Sequence, residues 1–472
     1  MFNPLFFSTV VVYMLQNTEY RIKPYFAWLF RTKNFKKVMY RRQLDKTRAA
    51  QLLRLIVIIG MSLQFFLGSI VFVGLYDTTW YGPLLGVIIL ATAPYTWAVL
   101  IVAPLWLGRV FVAAPKERRL IKESASLFKK HPGHIIVVAG SYGKTSMKEL
   151  LGTVLSTHKK VAITPANKNV ALSHAQFVRT LDGDEDILII ELGEGKPGDV
   201  ERFCKTIQPD TVFITGIAPA HLDQYDSVEQ AAQDIFSAAD FVKPQHVFVN
   251  GDSNYAQRYI KDGYVVYGHK GIADAKVTNI KQSLDGLQFT FNNKQKFDVK
   301  TKILGKHTIG PICAALYIGA SYGIDKLSLL NSIANLQPYE HRMQPRYLAG
   351  GAFVIDDTYN GNIEGMEAGL ALLNDLPAKR RIYVTPGLVD QGNQTDAVHT
   401  RLGKAIAQAR PDVVVLIKNS VQPIIARALT DADYDGELRI EDDPLYFYTH
   451  IDDVTATGDV VLMQNDWPDN YA

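Results

Sequence analysis

Residues 134–149 constrain the fold more than any other stretch of the chain. Ile135–Val138 is a short run of apolar, β-branched residues, the composition of a buried strand. Gly140 and Gly143 break it, and from Lys144 the apolar spacing turns helical. A strand, a glycine turn and a helix opening on Gly143-Lys144-Thr145 make a phosphate cradle. Backbone N–H groups of the turn point at the phosphates, and the helix N-terminus adds positive dipole. Gly140, Ser141, Gly143 and Ser146 would line such a cradle. Lys144 would reach the β- and γ-phosphates, and the Thr145 hydroxyl would take Mg²⁺. The general P-loop pattern has a glycine five places before Gly143, where this chain has Val138. The bland alternative is a strand–helix turn carrying a surface lysine.

With 472 residues, two or three domains are expected. A net charge of +3 gives no reason to expect nucleic acid as a partner. The two cysteines, Cys204 and Cys313, lie far apart and lack metal-ligand spacing, so they read as inert core thiols.

The average conceals an apolar, basic first quarter. Residues 1–20 read as an interfacial or partly inserted helix, with a third short membrane span as the alternative. Residues 21–54 carry Arg21, Lys23, Arg31, Lys36, Arg41, Lys46 and Arg54 among others, opposed only by Asp45 and interleaved with Phe26, Trp28 and Phe30. That composition suits a segment lying on anionic headgroups. Leu55–Tyr76 and Tyr81–Gly108 are uncharged, the second interrupted by Pro94 and Pro104. Each exceeds the roughly 20 residues needed to cross a bilayer. Their connecting loop has no Lys or Arg, whereas both flanks are basic, so both ends of the hairpin are expected in the cytoplasm.

From about residue 131 strands alternate with helices, which argues for a mostly parallel sheet wrapped by helices. Residues 264–304 instead alternate short strands and turns, as in a small antiparallel flap. After Pro338 the strand–helix alternation restarts. The expected fold class is therefore α/β. A basic amphipathic segment (1–54) and a helical transmembrane hairpin (55–110) precede a P-loop central ATPase domain (111–338) and a Rossmann-like C-terminal domain (339–472).

Four further constellations fall where phosphate chemistry would use them. Thr164-Pro165-Ala166-Asn167-Lys168-Asn169 offers amide side chains after the cradle helix, although alone it is a turn. Glu191 ends a strand before a glycine-rich loop, and a carboxylate at that edge suits Mg²⁺. His221, in Ala220-His221-Leu222-Asp223, is a candidate metal ligand or orienter, or a structural histidine. Arg342 and the pair Asp356-Asp357 open the last domain and would close over the nucleotide, or form a surface salt bridge.

These motifs, with Val249-Asn250-Gly251-Asp252, Gly305-Lys306-His307 and Asp356-Asp357-Thr358-Tyr359-Asn360, fall in the order of the Mur ligase family. The chain resembles those ATP-dependent amide ligases of peptidoglycan synthesis from about residue 131 to its end. Asp356 to Asn362 looks like the type that adds D-alanyl-D-alanine. The resemblance implies ATP and Mg²⁺ as cofactors, and with the hairpin and its basic flanks the expected location is the bacterial cytoplasmic membrane, catalytic domains facing the cytoplasm. Its partners would be a muramoyl peptide, UDP- or lipid-linked, and an amino acid or dipeptide. It implies Lys144, His221, Arg342 and Asp357 as catalytic residues. Gly140, Ser141, Gly143, Lys144, Thr145, Ser146, Asn167, Arg342 and Asp356 would hold ATP, and Thr145, Glu191 and His221 the metal.

The departures are specific. No lysine lies between Val228 and Ala239, where the family carries one that becomes a metal-bridging carbamate. The adenine-facing asparagines are replaced in Gly305–Pro311, Ile363 stands for a proline, and Gln464-Asn465-Asp466 stands for Lys-Gly-Ser. The membrane hairpin occupies the place of the UDP-sugar domain. A Mur-fold ligase with another product, of polyglutamate or capsule type or with a lipid-linked substrate, is the alternative. A nucleotide-binding scaffold without turnover is a third reading.

Overall fold

The computed structural model describes residues 3–18, 20–32, 35, 44–76, 78–166, 168–218, 225–293, 295–359, 361–388 and 391–465. The chain divides into two units at Arg119–Leu120.

The first unit is helical. Helices α1 (Pro4–Asn17), α2 (Ile22–Arg31), α3 (Arg48–Gly74), α4 (Gly82–Leu100) and α5 (Val102–Gly108) are followed by α6 (Ala114–Lys130), in which the unit boundary falls. Asn3 caps α1 by accepting from the amides of Leu5 and Phe6, and Thr47 caps α3 through the Ala50 amide. Helices α3 and α4 pack closely because small residues meet large ones. Gly60 faces the Trp97 ring, Gly68 faces Leu90, and Gly86 faces Phe72. Gln64 donates 2.9 Å to the Ile89 carbonyl, which satisfies a polar side chain within an apolar pair. Helix α1 is buried from Val10 to Leu15 against this pair, in one cluster with Leu53, Val57, Met61 and Ala98. The outward faces remain uncovered: Leu55, Leu63, Phe66 and Ile70 of α3 and Leu84, Ile88 and Tyr95 of α4 are exposed. Among the described residues, two helices are long and apolar enough to cross a membrane, one spanning Arg48–Gly74 and one beginning at Gly82.

The second unit holds two sheets. The first has ten strands in the order β10-β9-β8-β7-β6-β5-β4-β1-β3-β2. Strands β1 (His134–Ala139), β2 (Val161–Ile163), β3 (Ile187–Glu191), β4 (Thr211–Ile214), β5 (Val247–Asn250) and β6 (Val265–Gly268) are parallel. Strands β7 (Gly271–Ile272), β8 (Ala275–Ser283), β9 (Gly286–Asn293) and β10 (Gln295–Thr301) continue it antiparallel. The antiparallel strands expected as a small flap are present, and they extend the main sheet. Helix α7 (Lys144–Leu155) and the helix Ile309–Ser321 share an apolar core on one face, and the helices Asp199–Ile207 and Val228–Phe236 on the other. Cys204 and Cys313 are buried free thiols in these cores, and burial pushes Cys204 up to about 12.

The second sheet has the order β11-β12-β16-β13-β14-β15. Its members are β11 (Gln344–Tyr347), β12 (Phe353–Asp357), β13 (Arg380–Thr385), β14 (Val413–Ile417), β15 (Glu437–Glu441) and β16 (Asp459–Gln464). Only β11 runs antiparallel, on the edge. The sequence pattern misses β11 and β15, whose exposed, polar composition reflects their edge positions. The two parts of the unit touch: Leu304 joins the core of the second sheet, and Lys306 Nζ lies 2.8 Å from Asp375.

Candidate active site

Strand β1 lies between β3 and β4, so the chain order reverses on its two sides. The crevice at the carboxyl ends of such strands is where open α/β sheets bind ligands. The turn 140–143 sits there. Gly140 has φ +142° and Gly143 φ +78°, backbone states that side chains rarely adopt. A Cβ on Gly140 would stand 2.2 Å from Thr215 Oγ1, and one on Gly216 would stand 2.1 Å from the Tyr142 ring. The segment after β4 thus clamps the turn. Ser141 N donates 2.6 Å to Gly216 O, and Thr215 Oγ1 donates 2.5 Å to Tyr142 O. Among the described residues no side chain caps α7, so the amides of Lys144, Thr145 and Ser146 belong to its open first turn. Tyr142 packs over the clamp. Burial pushes its phenol up to about 12, and the charges of Glu364 and Arg401 from the second sheet's helices also bear on it.

Glu191 ends β3 opposite Val138 of β1 and is 2% exposed. Its Oε1 accepts from Asn169 Nδ2 at 3.2 Å. Among the described residues its buried Oε2 has no hydrogen-bond partner, and Lys148 Nζ lies 3.6 Å away. A buried, unsatisfied carboxylate oxygen beside a helix N-terminus is a donor set that fits Mg²⁺. His174, buried beneath, meets the Glu191 carbonyl at 2.8 Å, and burial lowers its imidazole to about 4.

Two charged residues here escape sequence reasoning. Lys148 is 0% exposed, and its Nζ donates to the carbonyls of Thr164 at 2.8 Å and Ala166 at 2.5 Å. It fixes the segment leading to Asn167. Glu194, 6% exposed, receives both of its oxygens' bonds from Lys144 Nζ, at 3.0 and 2.8 Å. The only advance signals were the i,i+4 spacing of Lys144 and Lys148 and the acidic residue inside the glycine-rich loop.

Arg342, Asp356 and Asp357 gather at the carboxyl end of β12. Arg342 lies over the Tyr359 ring at 4.5 Å, flanked by His341 (φ +56°) and Met343 (φ +47°) in left-handed conformations. Asp356 meets His341 Nδ1 at 2.9 Å and accepts from Thr358 Oγ1 at 2.6 Å. Asp357 accepts from Met343 N at 3.2 Å and Gln464 Nε2 at 2.8 Å. Burial raises its carboxyl to about 6 against those bonds and the nearby Arg342 charge. Among the described residues no hydrogen bond or ion pair joins this cluster to the turn 140–146. Asn167, His221 and Asn360 lie outside the described residues.

Two family models match this chain. The Mur ligase middle domain covers residues 138–319, and the Mur ligase glutamate ligase domain covers 341–464. The chain belongs to the Mur ligase family. Within it, the chain is 27% identical over 301 residues to the UDP-N-acetylmuramoyl-tripeptide–D-alanyl-D-alanine ligase of Escherichia coli (strain K12). That match covers 61% of this chain and 65% of the relative, so the chain spans just under two thirds of that ligase's length. Among solved structures, MurF from Acinetobacter baumannii has a TM-score of 0.65 at 20% identity, covering 74% of this chain and 77% of its own. MurF ligase from Thermotoga maritima in complex with ADP has a TM-score of 0.65 at 22% identity, covering 74% and 80%. These likenesses establish the Mur ligase fold of the second unit.

Proposed function

We propose that this Mur ligase family member joins a carboxylate to an amine at the expense of ATP, adding D-alanyl-D-alanine to a muramoyl peptide. The carrying observation is the placement of Lys144 and the unsatisfied Glu191 oxygen at one strand edge, beside a clamped glycine turn. ATP phosphates would lie on Gly140–Ser146. Thr145 and Glu191 would hold Mg²⁺, with His221 and Asn167 assigned to the same site from the family resemblance. A bound Mg²⁺ would supply charge neutralisation on the transferring phosphoryl oxygens.

The chain's own residues then position and stabilise. A substrate carboxylate oxygen attacks the γ-phosphorus as the bond to the β–γ bridging oxygen breaks, releasing ADP. The amine nitrogen attacks the acyl carbon, inorganic phosphate leaves, and the nitrogen loses a proton. Lys144 and Arg342 pair with phosphate charge in the first step. Asp357, with a carboxyl near 6, is matched to taking that proton in the second. Asp356 holds the His341–Arg342 turn in place through His341.

The first unit supports placement at the cytoplasmic face of a membrane. Its apolar faces are uncovered, and the loop between α3 and α4 lacks Lys and Arg while both flanks are basic. This favours one second reading, in which the muramoyl peptide is lipid-linked. Full-length protein in detergent, given ATP, D-alanyl-D-alanine and either the UDP- or the lipid-linked muramoyl tripeptide, separates the two. ADP release that needs both carboxylate and amine supports the ligase, and the better acceptor identifies the substrate. ATP binding without acceptor-dependent turnover would favour the scaffold reading.

A further inference from the structure

The lysine of the cradle is already engaged by the protein's own carboxylate. Lys144 Nζ sits between both oxygens of Glu194, at 3.0 and 2.8 Å, and folds back onto the Gly140 carbonyl at 2.5 Å. The two side chains are 11% and 3% exposed. One helical turn further on, Lys148 lies 3.6 Å from Glu191. Residues four apart share a helix face, so Glu191 at the end of β3 and Glu194 just after it meet α7 as two successive lysine–glutamate rungs.

The rungs differ in what else holds them. Lys148 is pinned by the Thr164 and Ala166 carbonyls, and Glu191 belongs to a central strand. Among the described residues, Lys144 otherwise bonds only to carbonyls of the turn itself, Gly140 and Ser141. Glu194 stands in the loop Gly193–Gly198, where Gly195, Lys196, Pro197 and Gly198 are exposed. One rung is built into the sheet. The other is a contact between a phosphate-facing lysine and a glycine-rich loop whose residues 195–198 are exposed.

We infer that Glu194 is the resident counter-anion of the cradle, displaced by a metal-complexed nucleoside polyphosphate, and that it makes nucleotide binding depend on the divalent cation. The inference rests on the nucleotide reading of the cradle. A metal-free polyphosphate approaching Lys144 meets a lysine that is already neutralised and a carboxylate of like charge. If it enters, Glu194 is left buried without a partner, a costly state. A polyphosphate that carries a divalent cation brings the charge that displaced Glu194 needs. After the exchange Lys144 pairs with phosphate and Glu194 faces the cation, so no charge is stranded.

The test is calorimetric titration of the full chain, in detergent, with ADP in the presence and absence of Mg²⁺. Glu194→Gln keeps the side chain's size and removes its charge. It is expected to bind metal-free ADP at least tenfold more tightly than the parent and to narrow the ratio of the two dissociation constants by a similar factor. A purely structural role would not shift that ratio. Unchanged constants and an unchanged ratio, with ADP binding to both proteins, would overturn the inference while leaving the nucleotide reading intact. No ADP binding by either protein overturns both. Should Glu194→Gln not fold, Glu194→Asp, one methylene shorter, weakens the same pair and must shift the ratio in the same direction. An unchanged ratio in that variant also overturns the inference.

Discussion

Gln464 Nε2 donates a 2.8 Å hydrogen bond to Asp357 Oδ2, across paired positions at the carboxyl ends of β16 and β12. Gln464 Oε1 in turn accepts from the Tyr383 hydroxyl at 3.1 Å. A neutral amide therefore faces the catalytic candidate where the family resemblance leads one to expect a lysine. Burial outweighs this bond and the Arg342 charge, so the Asp357 carboxyl is raised to about 6 from its ordinary 3.8.

The sign of the resulting pH dependence is fixed. The folded protein binds the Asp357 proton more tightly than the unfolded chain, so this residue's stability contribution is full below about pH 4 and lost as pH rises through about 6. Asp357→Asn removes the effect. Its stabilisation over the parent should grow by about 2 kcal/mol between pH 4 and pH 7, read by denaturant unfolding of both proteins at each pH. Turnover should fall in the same variant. A stability difference independent of pH would show that Asp357 titrates normally.

Lys148 carries structure as well as charge. Lys148→Met keeps most of its volume but strands the Thr164 and Ala166 carbonyls and leaves Glu191 facing no cation. Removing one partner of a buried pair costs about 3–5 kcal/mol, so a loss of stability on that order is expected in thermal or denaturant unfolding. Lys168→Met, exposed in the same 164–169 segment, should change stability by less than about 0.5 kcal/mol.

Gly216→Ala tests the clamp on the turn. The added Cβ would fall 2.1 Å from the Tyr142 ring, so the ring and the turn behind it must move. Nucleotide affinity should drop about tenfold or more, which corresponds to about 1.4 kcal/mol, while circular dichroism stays that of the parent. Parent-like affinity would mean that the turn adapts without losing its binding geometry.

The placement of the first unit yields a topology prediction. Thr78, in the loop between α3 and α4, should become labelled in intact cells by a membrane-impermeant maleimide when changed to cysteine. The equivalent change at Lys116 should label only after permeabilisation. Both parent thiols are buried, so background is low. The reverse pattern would overturn the cytoplasmic placement of the second unit.

Much of this was legible in the sequence because it is locally encoded. The β-branched run Ile135–Val138, the glycines 140 and 143 and the helix from Lys144 each favour their conformation without distant help, and β1, the turn and α7 follow. Glu191 was legible as a carboxylate at a strand end. The continuity of β6–β10 with the main sheet was not, because strand pairing is a long-range choice that alternation alone leaves open. Glu194 and Lys148 were missed for the same reason. Lys144 meets a partner fifty positions away in sequence, and Lys148 is satisfied by carbonyls sixteen and eighteen positions on. Helix α1 was expected to lie at an interface or to insert partly. The structure buries Val10–Leu15 against α3 and α4, a contact set by Ala50, Val57 and Ala98 that the helix's own pattern does not announce.

The central claim is that Lys144 serves phosphoryl transfer from ATP to a carboxylate that an amine then takes. The most direct measurement is product stoichiometry with ATP, a muramoyl tripeptide and D-alanyl-D-alanine. The account predicts one ADP and one phosphate per new amide, no turnover in Lys144→Ala, and unchanged membrane association of that variant. Near-normal turnover in Lys144→Ala, or ADP release that ignores the amine, would contradict it.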